Sequence, residues 1–151
     1  MVEYYNASLD HYFMTSLPNE LAVLDAGTIP GWSRTGYDFK AYALDSTAGT
    51  PACRFFGVPG VGPNSHFFSI LANECQDVMR NPLWMFEGFV FRSEGPNDIG
   101  ACPANRVPVI RMYNNGKGGQ ANHRYLTSHS ELGEMLLEGW IVEGPVFCSL
   151  P

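Results

Sequence analysis

Apolar and polar residues along this chain alternate in short blocks, not in long stripes. Three blocks of strand length end at turn-forming or loop-entering residues: Glu3-Tyr4-Tyr5-Asn6, Arg54-Phe55-Phe56-Gly57 and Arg111-Met112-Tyr113-Asn114. After a loop, each is followed by a second block that opens on histidine: His11 to Thr15, His66 to Ile70 and His123 to Thr127. A glutamate comes next (Glu20, Glu74, Glu131), then a short stretch with helical spacing. Each pattern closes on a tryptophan with a glycine four residues later and a phenylalanine seven residues later: Trp32, Gly36, Phe39; Trp84, Gly88, Phe91; Trp140, Gly144, Phe147. Identical spacing of these residue types in all three places specifies an internal repeat of roughly fifty residues.

Each unit reads as strand, strand, short helix, strand. Helix limits come from local chemistry. Ser128 and Glu131 form an S-x-x-E capping box, Leu132, Met135 and Leu136 fall at helical spacing, and Gly139 sits where a left-handed residue ends a helix. Pro18 suits a first turn with Leu21 and Leu24 facing inward and Gly27 as the stop, and Asn81-Pro82 ends the second helix. Carboxylates of Glu20, Glu74 and Glu131 at the helix starts are expected to meet free backbone N–H groups. Helices this short need a sheet to rest on, and a single unit cannot bury both faces of its sheet. The expected fold is therefore mainly β with short helices (α+β). Three β-β-α-β repeats, approximately residues 2–41, 53–93 and 109–149, form one domain over 1–151. Their closure is threefold and pseudo-symmetric, either trefoil-like or three-bladed and propeller-like.

Composition narrows the functional classes. The chain has 151 residues, 45% hydrophobic and only 16% charged, with a formal net charge of -6. Two lysines, Lys40 and Lys117, and scattered arginines make no basic stripe, which argues against nucleic acid and anionic membrane as partners. The apolar runs are too short for a membrane span. The acidic, aromatic start lacks the features of a signal peptide, so an exported protein would carry its leader ahead of Met1. Cys53, Cys75, Cys102 and Cys148 contain no CxxC pair and read as two disulfides in an oxidising, extracellular setting, with three connectivities open.

Equivalent histidines His11, His66 and His123 could in principle meet as a three-His metal site. Strand alternation instead puts them on the core face, with Arg124 towards solvent, so no metal and no cofactor is expected. Glu87 and Glu143 precede the glycine of the closing strand, where Thr35 stands in the first unit. With the histidines, they are the polar machinery of a small secreted hydrolase, the alternative reading. The tryptophans, in their fixed template position, are expected to pack in the core. Aromatics on the opposite strand face, Tyr4, Tyr12, Phe55 and Phe67, are the better sugar platforms. Asn6, Asp10, Asn64, Asn114 and Asn122 in the adjoining loops would bond hydroxyls. Asn6-Ala7-Ser8 matches a short glycosylation pattern. A third reading is a spacer or protein-interaction module with an exposed apolar face.

The unit, with aromatic-rich H-[YF]-F-x-T followed by G-W-x-x-E-G-x-x-F, resembles a bacterial and fungal secreted repeat family of unknown function recognised by an "HFYT" core. The matching segments are His11 to Thr15, His66 to Ile70 and His123 to Thr127, with the Trp84 and Trp140 strands. The resemblance implies a secreted, lectin-like accessory module, appended to or co-secreted with other domains, whose partner is a glycan or cell-wall polymer. It implies no catalytic residues.

Overall fold

A computed structural model describes residues 1–151. The chain runs β1 (Val2–Asn6), β2 (His11–Thr15), α1 (Pro18–Asp25), β3 (Trp32–Asp38), β4 (Thr50–Gly57), β5 (His66–Ser69), α2 (Ala72–Met79), β6 (Trp84–Ser93), β7 (Val107–Tyr113), β8 (His123–Leu126), α3 (His129–Leu137) and β9 (Ile141–Ser149). The strands form three separate antiparallel sheets of the same order, β2-β1-β3, β5-β4-β6 and β8-β7-β9. They do not close into a barrel, so the trefoil barrel is not the architecture. Isolated bridges such as Tyr42–Arg92 and Lys40–Leu150 add strand-like pairing outside the sheets.

The recurrent glycine has a specific task. Gly36, Gly88 and Gly144 have φ of 90°, 112° and 107°, a region that side chains disfavour. In the second and third sheets they sit where the register slips, with Arg54 opposite Gly88 and Arg111 opposite Gly144. The resulting bulge turns the preceding carboxylate, Glu87 or Glu143, back towards the arginine on the central strand.

The helix limits follow local chemistry. Ser128 Oγ accepts the Glu131 N–H at 3.3 Å, and Gly27 and Gly139, with φ of 68° and 90°, lie just beyond α1 and α3. The three first-turn carboxylates do not cap, however. Glu20, Glu74 and Glu131 each turn to a buried arginine, because an unpaired buried cation is far costlier than an unsatisfied helix N–H at the surface.

The core lies where the sheets meet. The template phenylalanines pack on one another: Phe91 and Phe147 lie 5.4 Å apart, with Phe39 6.3 and 6.2 Å from them. Met14, Phe68 and Tyr125, one from each sheet, lie against them, with Ala52 and Val109. The Tyr125 hydroxyl accepts the Phe68 N–H at 2.9 Å and donates to its carbonyl, so the buried phenol is satisfied.

Two disulfides tie elements together: Cys53–Cys75 joins β4 to α2, and Cys102–Cys148 joins the connector after β6 to β9. No helix is long and apolar enough to cross a membrane. Closing loops over separations of 22 and 46 residues restricts the unfolded chain. We expect the Cys102→Ser/Cys148→Ser variant to lose about 4 kcal/mol, and the Cys53→Ser/Cys75→Ser variant about 3, in urea unfolding.

Candidate functional site

The polar architecture begins with three arginines that the sequence shows only as scattered charges. Arg54, Arg111 and Arg124 are all buried, at 7%, 6% and 3% exposure. Arg54 grips Glu20 through both terminal nitrogens, at 2.8 and 2.9 Å. Its Nε lies 2.7 Å from Glu87 Oε2, too far off line to count as a hydrogen bond. Arg111 grips Glu74 in the same way, and its Nε donates to Glu143 Oε2 at 2.7 Å. The first sheet inverts the pattern. Glu3 replaces the arginine, Thr35 replaces the bulge glutamate and donates to Glu3 at 2.8 Å, and Arg124 arrives from β8 to pair with Glu3 and Glu131. Arg124 therefore does not face solvent, because β8 is covered on both sides.

Strand register also revises the histidine equivalence. Phe56 faces His66 and Tyr113 faces His123, but their counterpart Tyr5 faces Tyr12. The structural partner of His66 and His123 is thus Tyr12, and His11 matches Ser65 and Asn122. The spacing to the following glutamate carries this signal: nine residues from His11, eight from His66 and His123. A ring from one sheet then meets the next: Phe13 on His66 (4.4 Å between centroids) and Phe67 on His123 (5.1 Å), with the Arg124 guanidinium 4.0 Å from the Tyr12 ring centroid. No group of three His, Cys, Asp or Glu side chains converges to hold a metal.

Most of the expected sugar platforms are inside. Tyr4, Phe55 and Phe67 are 1%, 0% and 8% exposed and offer no free ring face, because helices and neighbouring sheets cover both sides of the inner strands. Tyr4 donates its hydroxyl to Asp25, and Phe55 and Phe67 pack beside the Cys53–Cys75 bridge. Asp10 is bound by the Tyr5 hydroxyl and Lys117, which hold its carboxyl below the usual range despite partial burial. Asn114 closes its own loop, and Asn122 clamps both Tyr12 backbone groups and Ser65. Asn6 is buried with Oδ1 bonded to Ser8 and Leu9, so the glycosylation pattern is folded away.

One set of expected residues does come together. Asn6, His11, Tyr12, Asn64 and His66 line a cleft of about 450 Å³ between the first and second sheets. Its aromatic wall is continuous: Trp32 lies edge-on to Phe13 (6.0 Å), Phe13 meets His66, and His66 stacks on Phe56 at 4.8 Å. Leu9, Val23, Leu24, Ile29 and Pro30, from α1 and the turn after it, complete the apolar lining, and no arginine or lysine lines the cleft. Trp32 is not sealed in the core as expected. The same ring sequence, Trp84-Phe67-His123-Tyr113, recurs between the second and third sheets, but there Phe67 is buried and overlain by the Arg111 guanidinium at 4.8 Å.

Electrostatics separate the two conserved-geometry pairs from an acid–base site. Burial raises the Glu87 pKa, but the His66 hydrogen bond and the charges of His66 and Arg54 outweigh it and keep the carboxyl ionised. Glu87 and Glu143 lie in different clusters, each tied to its own arginine and histidine. His11 donates Nδ1–H to the Asn64 carbonyl at 3.0 Å, and burial holds its pKa below the ordinary value, so the neutral ring presents Nε2 as an acceptor.

The family assignment rests on the whole chain. Residues 1–150 match the family described as "Domain of unknown function (DUF5648)". This chain belongs to that family. No curated protein and no solved structure matches it.

The buried groups give this family member a testable acid response. Burial, and then the nearby Arg111 charge, lower the His123 pKa to about 3, although Glu143 lies 3.4 Å from Nε2. The unfolded chain therefore takes up a proton below about pH 6.5 that the native state refuses, and stability falls as pH drops from 6.5 towards 3. Between pH 6.5 and 4.5, above the carboxylate range, His123→Gln should remove up to about 1.4 kcal/mol per pH unit from the slope of urea-derived stability. Arg54→Met, which strands Glu20 and Glu87, should cost about 3–5 kcal/mol near neutral pH in the same assay.

Proposed function

We propose that this domain is a noncatalytic binding module of an exported protein, and that the cleft between its first and second sheets takes a carbohydrate. The observation that carries the reading is the cleft itself. It combines a continuous wall of the Trp32, Phe13 and His66 rings with a few polar groups at its margin. Sugar C–H faces stack on such rings while edge hydroxyls reach polar side chains. About 450 Å³ is within the range of small-ligand sites, roughly 300–1,000 Å³. The absence of a lining cation favours a neutral ligand over an anionic one.

Hydrolysis is less well supported. A glycosidase acid must hold a proton near neutral pH, whereas Arg54 and His66 keep Glu87 ionised. Export is supported by the two disulfides, which are rare in reducing compartments. We also infer that the three sheets sit around a common pseudo-threefold axis. Support comes from matching contacts between each sheet and the next: Arg54 to Glu20, Arg111 to Glu74, and Arg124 to Glu3. The arrangement would then carry one open cleft, not three.

Co-sedimentation of the oxidised domain with insoluble peptidoglycan, chitin and cellulose tests the reading. Retention on one polymer, reversed by its soluble fragments, is the expected result. Trp32→Ala should weaken retention at least about tenfold while leaving the circular dichroism spectrum and melting unchanged, because Trp32 is only half-buried. Equal retention by both proteins would remove the cleft from the function.

A further inference from the structure

The cleft has few polar atoms to offer a bound sugar. Asn6 spends Oδ1 on Ser8 and Leu9 and points Nδ2 at the Pro30 carbonyl. Ser65 is buried and bonded by Asn122, and Glu20 is tied to Arg54 and Thr15. What remains is His11 Nε2 as an acceptor, His66 Nδ1, whose ring is tied to Glu87 only through Nε2, the Asn64 carboxamide, which has no protein partner, and the Trp32 indole N–H. A plain hexose would bring more hydroxyls than this set can satisfy, and each one desolvated without a partner costs about 1–3 kcal/mol. A group that joins a donor, an acceptor and an apolar end matches this small set and the aliphatic lining beside it.

We propose that the cleft recognises the acetamido group of an N-acetylated amino sugar. The amide N–H donates to His11 Nε2, and the amide carbonyl accepts from the Asn64 carboxamide or the Trp32 indole. The methyl rests against the aliphatic wall around Ile29, and the pyranose face lies on the Trp32 side. This inference rests on the carbohydrate reading above and narrows it to one substituent. Discrimination follows from chemistry. A hydroxyl in place of the acetamido group leaves the aliphatic wall uncovered, and a free amine puts a cation on an apolar surface.

Calorimetric titration of the oxidised domain with three trisaccharides separates the possibilities: N-acetylglucosamine trimer, glucosamine trimer and cellotriose. The expected result is binding of the acetylated trimer at least about tenfold tighter than either of the others. Comparable affinity for cellotriose would overturn the acetamido assignment and leave the carbohydrate reading standing. No binding of any trimer, together with no retention on insoluble glycans, would overturn both. Asn64→Gly provides a second readout, because Asn64 has φ of 51°, which glycine adopts freely, and the carbonyl that holds His11 is kept. This variant should bind the acetylated trimer about tenfold more weakly with unchanged melting. Unchanged affinity would overturn the placement of the amide at Asn64.

Discussion

Three buried guanidinium groups constrain this fold more than any other feature. Arg54, Arg111 and Arg124 lie beneath the surface and each meets two carboxylates, one of them from the first turn of a helix. Hydrophobic packing alone tolerates small shifts between sheets, but a bidentate ion pair does not, because an unmatched buried charge costs several kcal/mol. The arginines therefore set where α1, α2 and α3 dock. They also explain the strand bulge, since only with Gly88 or Gly144 at positive φ does the adjacent glutamate reach the central strand.

The first sheet shows how tightly these charges are coupled. Exchanging arginine for Glu3 removes the cation, Thr35 removes the second anion, and Arg124 on a different strand restores the balance. Arg124 takes the place that Phe13 and Phe67 hold in the other two sheets, and stacks on Tyr12 where they meet His66 and His123. Each junction is thus a different solution to one packing problem. At the second junction Arg111 covers Phe67, at the third Arg124 fills the space, and only the first keeps an open ring wall. The single open cleft follows from that inequality, not from the shared template.

Within the cleft, polar groups are scarce because the fold has already used them. Asn6, Ser65, Asn122 and Glu20 serve turns, strand ends and ion pairs. Few donors and acceptors are therefore left free at the cleft, beside an aliphatic lining.

Sequence alone determined the order of strands and helices, because period, caps and turn residues are local. Ser128, Gly27 and Gly139 act on their own few neighbours, and the Trp, Gly and Phe spacing marks three like sheets. Cysteine content pointed to two disulfides but left their pairing open, since pairing depends on which strands approach. The candidate site was legible only in part. Asn6, His11, Tyr12, Asn64 and His66 do gather, whereas Tyr4, Phe55 and Phe67 vanish into the interior, because alternation along a strand cannot reveal that both of its faces are covered. Register, too, was decided in three dimensions: one extra residue in the first unit put Tyr12, not His11, at the place that His66 and His123 hold in the other two sheets. Tertiary structure alone decided which arginines are buried, which glutamates they take from the helices, and which junction stays open, because each depends on surfaces brought together from distant parts of the chain.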